Sequence, residues 1–323
     1  MLEVRCSTSL LCPDINVRME VIMEKYLFVH FIGESEQGEQ IYFSLSEDGL
    51  HWEDLNQGKP VLVSELGEQG VRDPFLIRDE KNGVFYLIAT DLRIASGKGW
   101  QVAQYEGSRN IIVWKSDDLV HWSEPWSSEV GTPESGCVWA PEAVYDREKG
   151  AFLVFWASMT KLGEDTEAKQ RIFASYTRDF VVYTEPEIYM ERDNHVIDTD
   201  IVQIPEGYVR FSKDETTKNI RMDFGKTLDK NNFTDIKAPV LDNLFGVEGP
   251  IAFYMTQQNR WCLLVDRFAT GKGYLPLVSD NLLSGEFRIL EESEFDMGST
   301  LKRHGGILPV TEEESERLKK AFA

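Results

Sequence analysis

The chain has 323 residues, 42% of them hydrophobic and 11% aromatic, which is ample for a large core and excludes a disordered chain. Its 34 basic residues against 55 acidic ones leave a net charge of −21, which argues against nucleic acid or an anionic membrane surface and fits a neutral ligand. No transmembrane span and no signal-type apolar run occurs, so the expected location is cytoplasmic, and Cys6, Cys12, Cys137 and Cys262 form no metal or disulfide spacing.

Residues 1–24 carry no clear pattern and read as an N-terminal extension, with Met19 and Met23 as alternative starts. Residues 25–323 read as a single catalytic domain. Helical periodicity is nearly absent from it. Short apolar or alternating segments are separated by Gly, Asp, Asn and Glu-Lys turns, the pattern of strands.

In chain order, KYLFVHFIGE (25–34) and QIYFSLSEDGLHW (40–52) read as second and third strands with no first strand before them. A full unit follows in RDPFLIRDEKNGVFYLIATD and NIIVWKSDDLVHW, opening near Asp73. Three more open at Glu142, Asp198 and Glu248: APEAVYDREKGAFLVFWAS, DTDIVQIPEGYVRFSKDE and EGPIAFYMTQQNRWCLLVDRF, each with a third strand behind it. RHGGILPVT (303–311) reads as a first strand with nothing after it. Pairing it with residues 25–52 makes a fifth unit from both ends of the domain and leaves no open sheet edge. The expected fold is therefore an all-β five-bladed β-propeller. Thr311 and Glu314 form a capping box that predicts a short helix to about residue 322. The long insertions at 92–109 and 159–171 read as rim loops. Trp52 and Trp122, in the echoed Gly-Leu-His-Trp and Leu-Val-His-Trp turns, are expected to pack between blades, and Cys262 in WCLLV to be a buried thiol.

In a propeller the first strand of each blade lines the axis. The acidic strand starts Asp73, Glu142, Asp198 and Glu248 should then converge on one end of the channel, with His304 from the closing blade. A ring of carboxylates in a cleft suits cation binding or acid/base work on a neutral substrate, and mutual repulsion should raise some of their pKa values. Asp198 and Asp200 stand two apart, which in a regular strand puts both on the axial face. Trp139, beside the ring, offers a face for a sugar to stack on. Arg72, next to Asp73, is a further substrate contact.

The motifs RDPF (72–75), VWAPE (138–142), VIDTDIV (196–202), VEGP (247–250) and RHGGI (303–307), in this order, resemble those of glycoside hydrolase family 43. The resemblance runs from about Lys25 to Thr311. It implies a five-bladed propeller that hydrolyses arabinose- or xylose-containing plant oligosaccharides with inversion. By the same resemblance Asp73 is the general base, Glu248 the general acid and Asp198 the carboxylate that orients the acid and tunes its pKa. Glu142, Asp200 and His304 are assigned to substrate binding. No cofactor is required, although a structural calcium near His304 is within the pattern, and the oligomeric state is left unassigned. The alternatives are a non-catalytic carbohydrate-binding propeller, or a related five-bladed hydrolase or phosphorylase. The phosphorylase would draw on Arg72, Lys302 and Arg303 for phosphate.

Overall fold

The structure, a computed structural model, describes residues 24–323; the expectations for the N-terminal extension, its start and its two cysteines lie outside the described residues. Five four-stranded antiparallel sheets make a β-propeller. The first strands of blades 1 to 4 are Val71–Asp79, Trp139–Asp146, Val196–Ile204 and Glu248–Met255. The closing blade joins Gly305–Val310 to Lys25–His30, Tyr42–Ser46 and Trp52–Asp54, with Lys25 paired to Val310 and His30 to Gly305. This is the closure expected from the unpartnered strand segments at 25–52 and 303–311.

The second strands Val84–Asp91 and Ala151–Thr160 are buried along their whole length, because each is covered by a neighbouring blade on both faces. Their side chains form apolar wedges between consecutive blades rather than one central core. One wedge joins the closing blade to blade 1, the next joins blades 1 and 2, and the next joins blades 2 and 3. Blades 3, 4 and the closing blade share the largest. Trp52 lies in that largest wedge with Cys262, and Trp122 meets Phe43 edge-on across the blade 1 junction, so both tryptophans fill seams. Burying an aromatic of this size is worth about 2 kcal/mol or more, so each seam contributes substantially to holding the ring closed.

The repeated Ser-x-Asp turns have a local cause. Ser46 and Asp48 accept the backbone N–H groups of Gly49, Leu50 and His51, and Ser116 and Asp118 do the same for Leu119, Val120 and His121. The side chains thus cap a turn in which backbone partners are missing. Thr311 caps the helix Glu312–Ala321 through the reciprocal bond with Glu314, and Leu318 and Phe322 pack it against the closing blade.

Two features depart from the sequence reading. Every blade has a fourth, outer strand of two to four residues, such as Trp126–Glu129 and Thr234–Asp235, where the sequence shows three strands per unit. Such strands are too short and too exposed to carry a periodic signal. The insertion at 92–109 is not all loop, since it folds into a short helix, Gly99–Tyr105.

Candidate active site

The first strands of blades 1 to 4 share a defect at their axial ends. Each slips register by one residue against its second strand, between Arg72 and Phe75, Trp139 and Glu142, Ile197 and Thr199, and Glu248 and Ile251. At each slip stands a residue with positive φ: Asp73, Ala140, Asp198 and Gly249, all between 47° and 52°. A bulge of this kind bends the strand and re-aims the side chain. For the three non-glycine residues it costs roughly 1–3 kcal/mol each, strain of the kind that proteins hold at functional positions. At Gly249 a Cβ would also fall 2.9 Å from His304 Cγ, so only glycine fits there.

The bulges revise the sequence alignment of the acids. Asp73 and Asp198 are equivalent bulge residues. Glu248 sits one residue before the bulge, and Glu142 and Asp200 sit two residues after it. The four strand-start acids are therefore not one ring at one height. The simple alternation that put Asp198 and Asp200 on one face is interrupted at Asp198.

A cavity of about 440 Å³ opens over the bulges and takes in Asp73, Asp198, Glu248 and His304 at its floor, with Arg72 and Trp139 in its wall. A larger groove of about 650 Å³ lies at the far ends of the blade 2 and 3 first strands, around Asp146 and Tyr208, and contains none of the converging carboxylates. The first is the chemically equipped one.

Each carboxylate in it is held differently. Thr90 donates its hydroxyl to Asp73 Oδ2 at 2.8 Å and accepts the Ala140 N–H at 2.8 Å, so blades 1 and 2 fix Asp73 together. Asp198 Oδ2 accepts the N–H of Gly249 at 3.1 Å, which ties it to the backbone of the residue following Glu248. Glu248 is clamped by Lys213 Nζ at 2.7 Å and Arg303 Nη2 at 3.0 Å. Lys213 reaches it from opposite Ile197 in blade 3, and Arg303 also binds Asp266 at 2.6 Å.

The comparisons with known proteins bear on the family and the fold. Residues 22–316 match the family model described as "Probable glycosyl hydrolase domain", a relative of glycoside hydrolase family 43. The chain belongs to this glycoside hydrolase 43-related family. It is 32% identical over 210 residues to an α-L-arabinofuranosidase of Bifidobacterium longum subsp. longum, a match covering 59% of the chain and 19% of that much longer protein. Among solved structures it resembles a family 43 β-1,3-galactosidase in complex with galactodeoxynojirimycin (TM-score 0.54, 13% identity, 87% and 92% of the two chains). It also resembles the catalytic domain of a Coprinopsis cinerea family 62 α-L-arabinofuranosidase (TM-score 0.51, 15% identity, 76% of each chain). At these identities the structural matches establish the fold, the family model establishes membership of the glycoside hydrolase 43-related family, and the chain spans about a fifth of the length of the arabinofuranosidase it matches. Among the described residues no helix is long and apolar enough to cross a membrane.

The electrostatics of this glycoside hydrolase fold divide the floor in two. His304 Nδ1 stands 3.6 Å from Asp73 Oδ1 and 3.7 Å from Asp198 Oδ1, and its Nε2 stands 3.7 Å from Glu142 Oε1. Burial alone would lower its pKa, but Asp198, then Glu142 and Asp73, lift it to about 10, so the ring is an imidazolium. Burial, with repulsion from Glu248 and Asp73, pushes Asp198 up to about 6. Burial pushes Asp200 to about 7, and burial together with Asp200 holds Glu142 well above the usual carboxylate range. These are the raised acids the sequence anticipated. Glu248 is not one of them: burial would raise it, but Lys213 first and Arg303 second outweigh that and hold it below its ordinary value.

Glu142 and Asp200 do not line the cavity. Both are buried beneath it, where Asp200 Oδ2 accepts the Ala252 N–H at 2.7 Å. Their assignment to substrate contact gives way to a role in the channel floor, because the bulge puts them two residues further down. Lys302 is also remote, fully buried and bound to Asp54 at 2.6 Å. The three lining Arg and Lys side chains are each paired with two carboxylates: Arg72 with Glu39 and Glu34, Lys213 with Glu248 and Glu215, Arg303 with Glu248 and Asp266. A phosphate site would compete with all of these pairs. Asp73, Asp198 and Glu142 are the carboxylates nearest His304 and are the ones that would have to hold a calcium beside it. Among the described residues no group of three or more His, Cys, Asp or Glu side chains is placed to hold a metal ion directly.

Sequence reasoning missed Lys213, Trp100, Gln104 and Phe268, all of which line the cavity. Lys213 had a usable signal, since it closes a second strand (RFSKD) at the end where the first strand begins.

Proposed function

We propose that the protein is an inverting, exo-acting glycosidase that releases terminal L-arabinofuranose, or alternatively D-xylose, from plant-derived oligosaccharides. The observation that carries this reading is the convergence of Asp73, Asp198 and Glu248, from three different blades, on one cavity. Inversion needs a base and an acid on opposite sides of the sugar, far enough apart to admit a water. Carboxylates on separate blades are suited to that separation. The arabinofuranosidase relative favours arabinose over xylose.

In this reading Asp73, oriented by Thr90, takes the proton of the attacking water. Glu248 protonates the leaving oxygen, and Asp198 positions it through the Gly249 N–H. The imidazolium of His304 balances the charge of Asp73 and Asp198 below the sugar. Because Lys213 and Arg303 hold Glu248 ionised at rest, its proton has to be acquired as substrate enters and loosens the clamp. That same clamp favours the second reading, a non-catalytic carbohydrate-binding propeller, in which Glu248 only binds.

A panel of nitrophenyl glycosides (α-L-arabinofuranoside, β-D-xyloside, α-L-arabinopyranoside, β-D-galactoside) decides between them. Release from the first is expected. Binding of saccharide with no release from any member would leave the binding module. A structural calcium beside His304 is a further proposal. Loss of thermal stability on chelation, restored by calcium, would support it, and an unchanged melt would remove it.

A further inference from the structure

We propose that Trp100 is the platform for the sugar that carries the leaving oxygen, so that the protein reads two consecutive residues of an uncharged oligosaccharide. The inference rests on the glycosidase reading above and extends it to the substrate's second residue.

Trp100 stands on the short helix of the 92–109 insertion, in the wall of the cavity, and is 46% exposed. An indole left half in water forgoes favourable burial, and a single such ring would be unremarkable. This one is held in place. One face of Trp100 rests against the guanidinium of Arg72, 5.0 Å from the ring centre, and Arg72 in turn lies 4.4 Å over Phe31. Its ring meets Trp139 edge to face at 5.9 Å and 82°. With nearly half of its surface still exposed in the cavity wall, the indole has area to offer a sugar.

The insertion beneath it is anchored at both ends. Glu39, almost wholly buried, accepts from Arg72 Nη1, Ile94 N and Ala95 N, each at 2.9 Å. Glu68 accepts the N–H of Arg93 and of Ser108 at 3.2 Å and pairs with Lys98. A wandering loop would not spend two carboxylates on its backbone amides. A rigid aromatic binds at low entropic cost, which is what a platform requires.

The right angle between the indoles gives the platform its place. A terminal sugar in the cavity lies beside Trp139, and the chain leaves it along Trp100, turning at the bond to be cleaved. Arg72 is already paired with Glu39 and Glu34, so the position suits a neutral sugar face rather than a uronate.

The test compares α-1,5-linked arabinotriose with α-L-arabinofuranosyl fluoride, whose leaving group is too small to stack. Trp100→Ala is expected to lower kcat/KM for the trisaccharide about tenfold more than for the fluoride, mainly through KM, with partial rescue by Trp100→Phe. Equal losses on both substrates, or no loss on the trisaccharide, overturn the proposal. Turnover of neither by the wild-type protein is a failure of the arabinosidase reading instead. Fluorescence quenching by arabinotriose then judges the platform: quenching weakened by Trp100→Ala supports it, and unchanged or absent quenching overturns it.

Discussion

The two sides of the cavity floor hold their carboxylates by opposite means. On the blade 1 side, Asp73 is positioned by a neutral hydroxyl, with His304 approaching no closer than 3.6 Å. On the blade 4 side, Glu248 is positioned by two cations in direct contact. A neutral donor orients a carboxylate without adding charge beside it, whereas a cation orients it and stabilises its ionised form at the same time. In the proposed mechanism, therefore, Glu248 becomes competent as acid only when substrate disturbs its clamp, whereas Asp73 has no such direct clamp to release.

Removing the base should therefore cost most. Asp73→Asn is expected to lower kcat by about 10³-fold or more on every substrate, because the water loses its proton acceptor whatever the leaving group. Glu248→Gln should lose a comparable factor on oligosaccharides and about tenfold or less on nitrophenyl glycosides, whose leaving oxygen needs little protonation. Equal losses on the two substrate types for Glu248→Gln would erase the distinction between the sides. Activity of Asp73→Asn near that of the wild-type protein would remove Asp73 as base.

A smaller and more pointed effect is expected from the clamp itself. The basic limb of kcat/KM against pH reports the acid of the free enzyme. Lys213→Met removes a cation that holds the Glu248 pKa down, so the pKa rises and the limb should move to higher pH. Lys213→Arg keeps the charge and should leave the limb close to its original place. Because Lys213 is buried against Glu248 and Glu215, thermal melts of both variants check that the fold survives. A limb that stays put in a folded Lys213→Met protein would mean that Glu248 is not the proton donor.

How much of this contrast could be read from the sequence depended on what the residues signal locally. The blade order, the closure through residues 303–311 and the Thr311 cap were legible, because strands, turns and caps leave patterns within a few residues. Asp73, Asp198, Glu248 and His304 were legible as a converging set because blade topology carries strand starts to the axis. Their relative heights were not. A bulge is one extra residue in a strand; Gly249-Pro250 in EGPIA hints at one, but nothing in DTDIV distinguishes it from regular alternation. For that reason Glu142 and Asp200 looked like pocket residues. The Glu248 clamp was hidden for a different reason: Lys213 and Arg303 meet it from blade 3 and the approach to the closing blade, and the pairing exists only after the ring closes.

The buried pair beneath the floor gives the smallest effect and the most specific one. Asp200 is pushed up to about 7, against an ordinary carboxylate value near 4, so the folded protein keeps a proton there that the unfolded chain releases. Between about pH 4 and 7 the folded state binds more protons than the unfolded one, and stability falls as pH rises through that window. Asp198, raised to about 6, tilts the curve the same way, and His304, raised to about 10, continues the fall on the alkaline side. Asp200→Asn keeps an oxygen to accept the Ala252 N–H and removes the titration. The variant should therefore lose less stability than the wild-type protein between pH 5 and pH 8, by a difference on the order of 2 kcal/mol. The slope should flatten without vanishing, because Asp198 and His304 still titrate. Parallel melting curves across that range would show that Asp200 is ionised in the folded protein, and the charge of the floor would then have to be reassigned to Glu142 and His304.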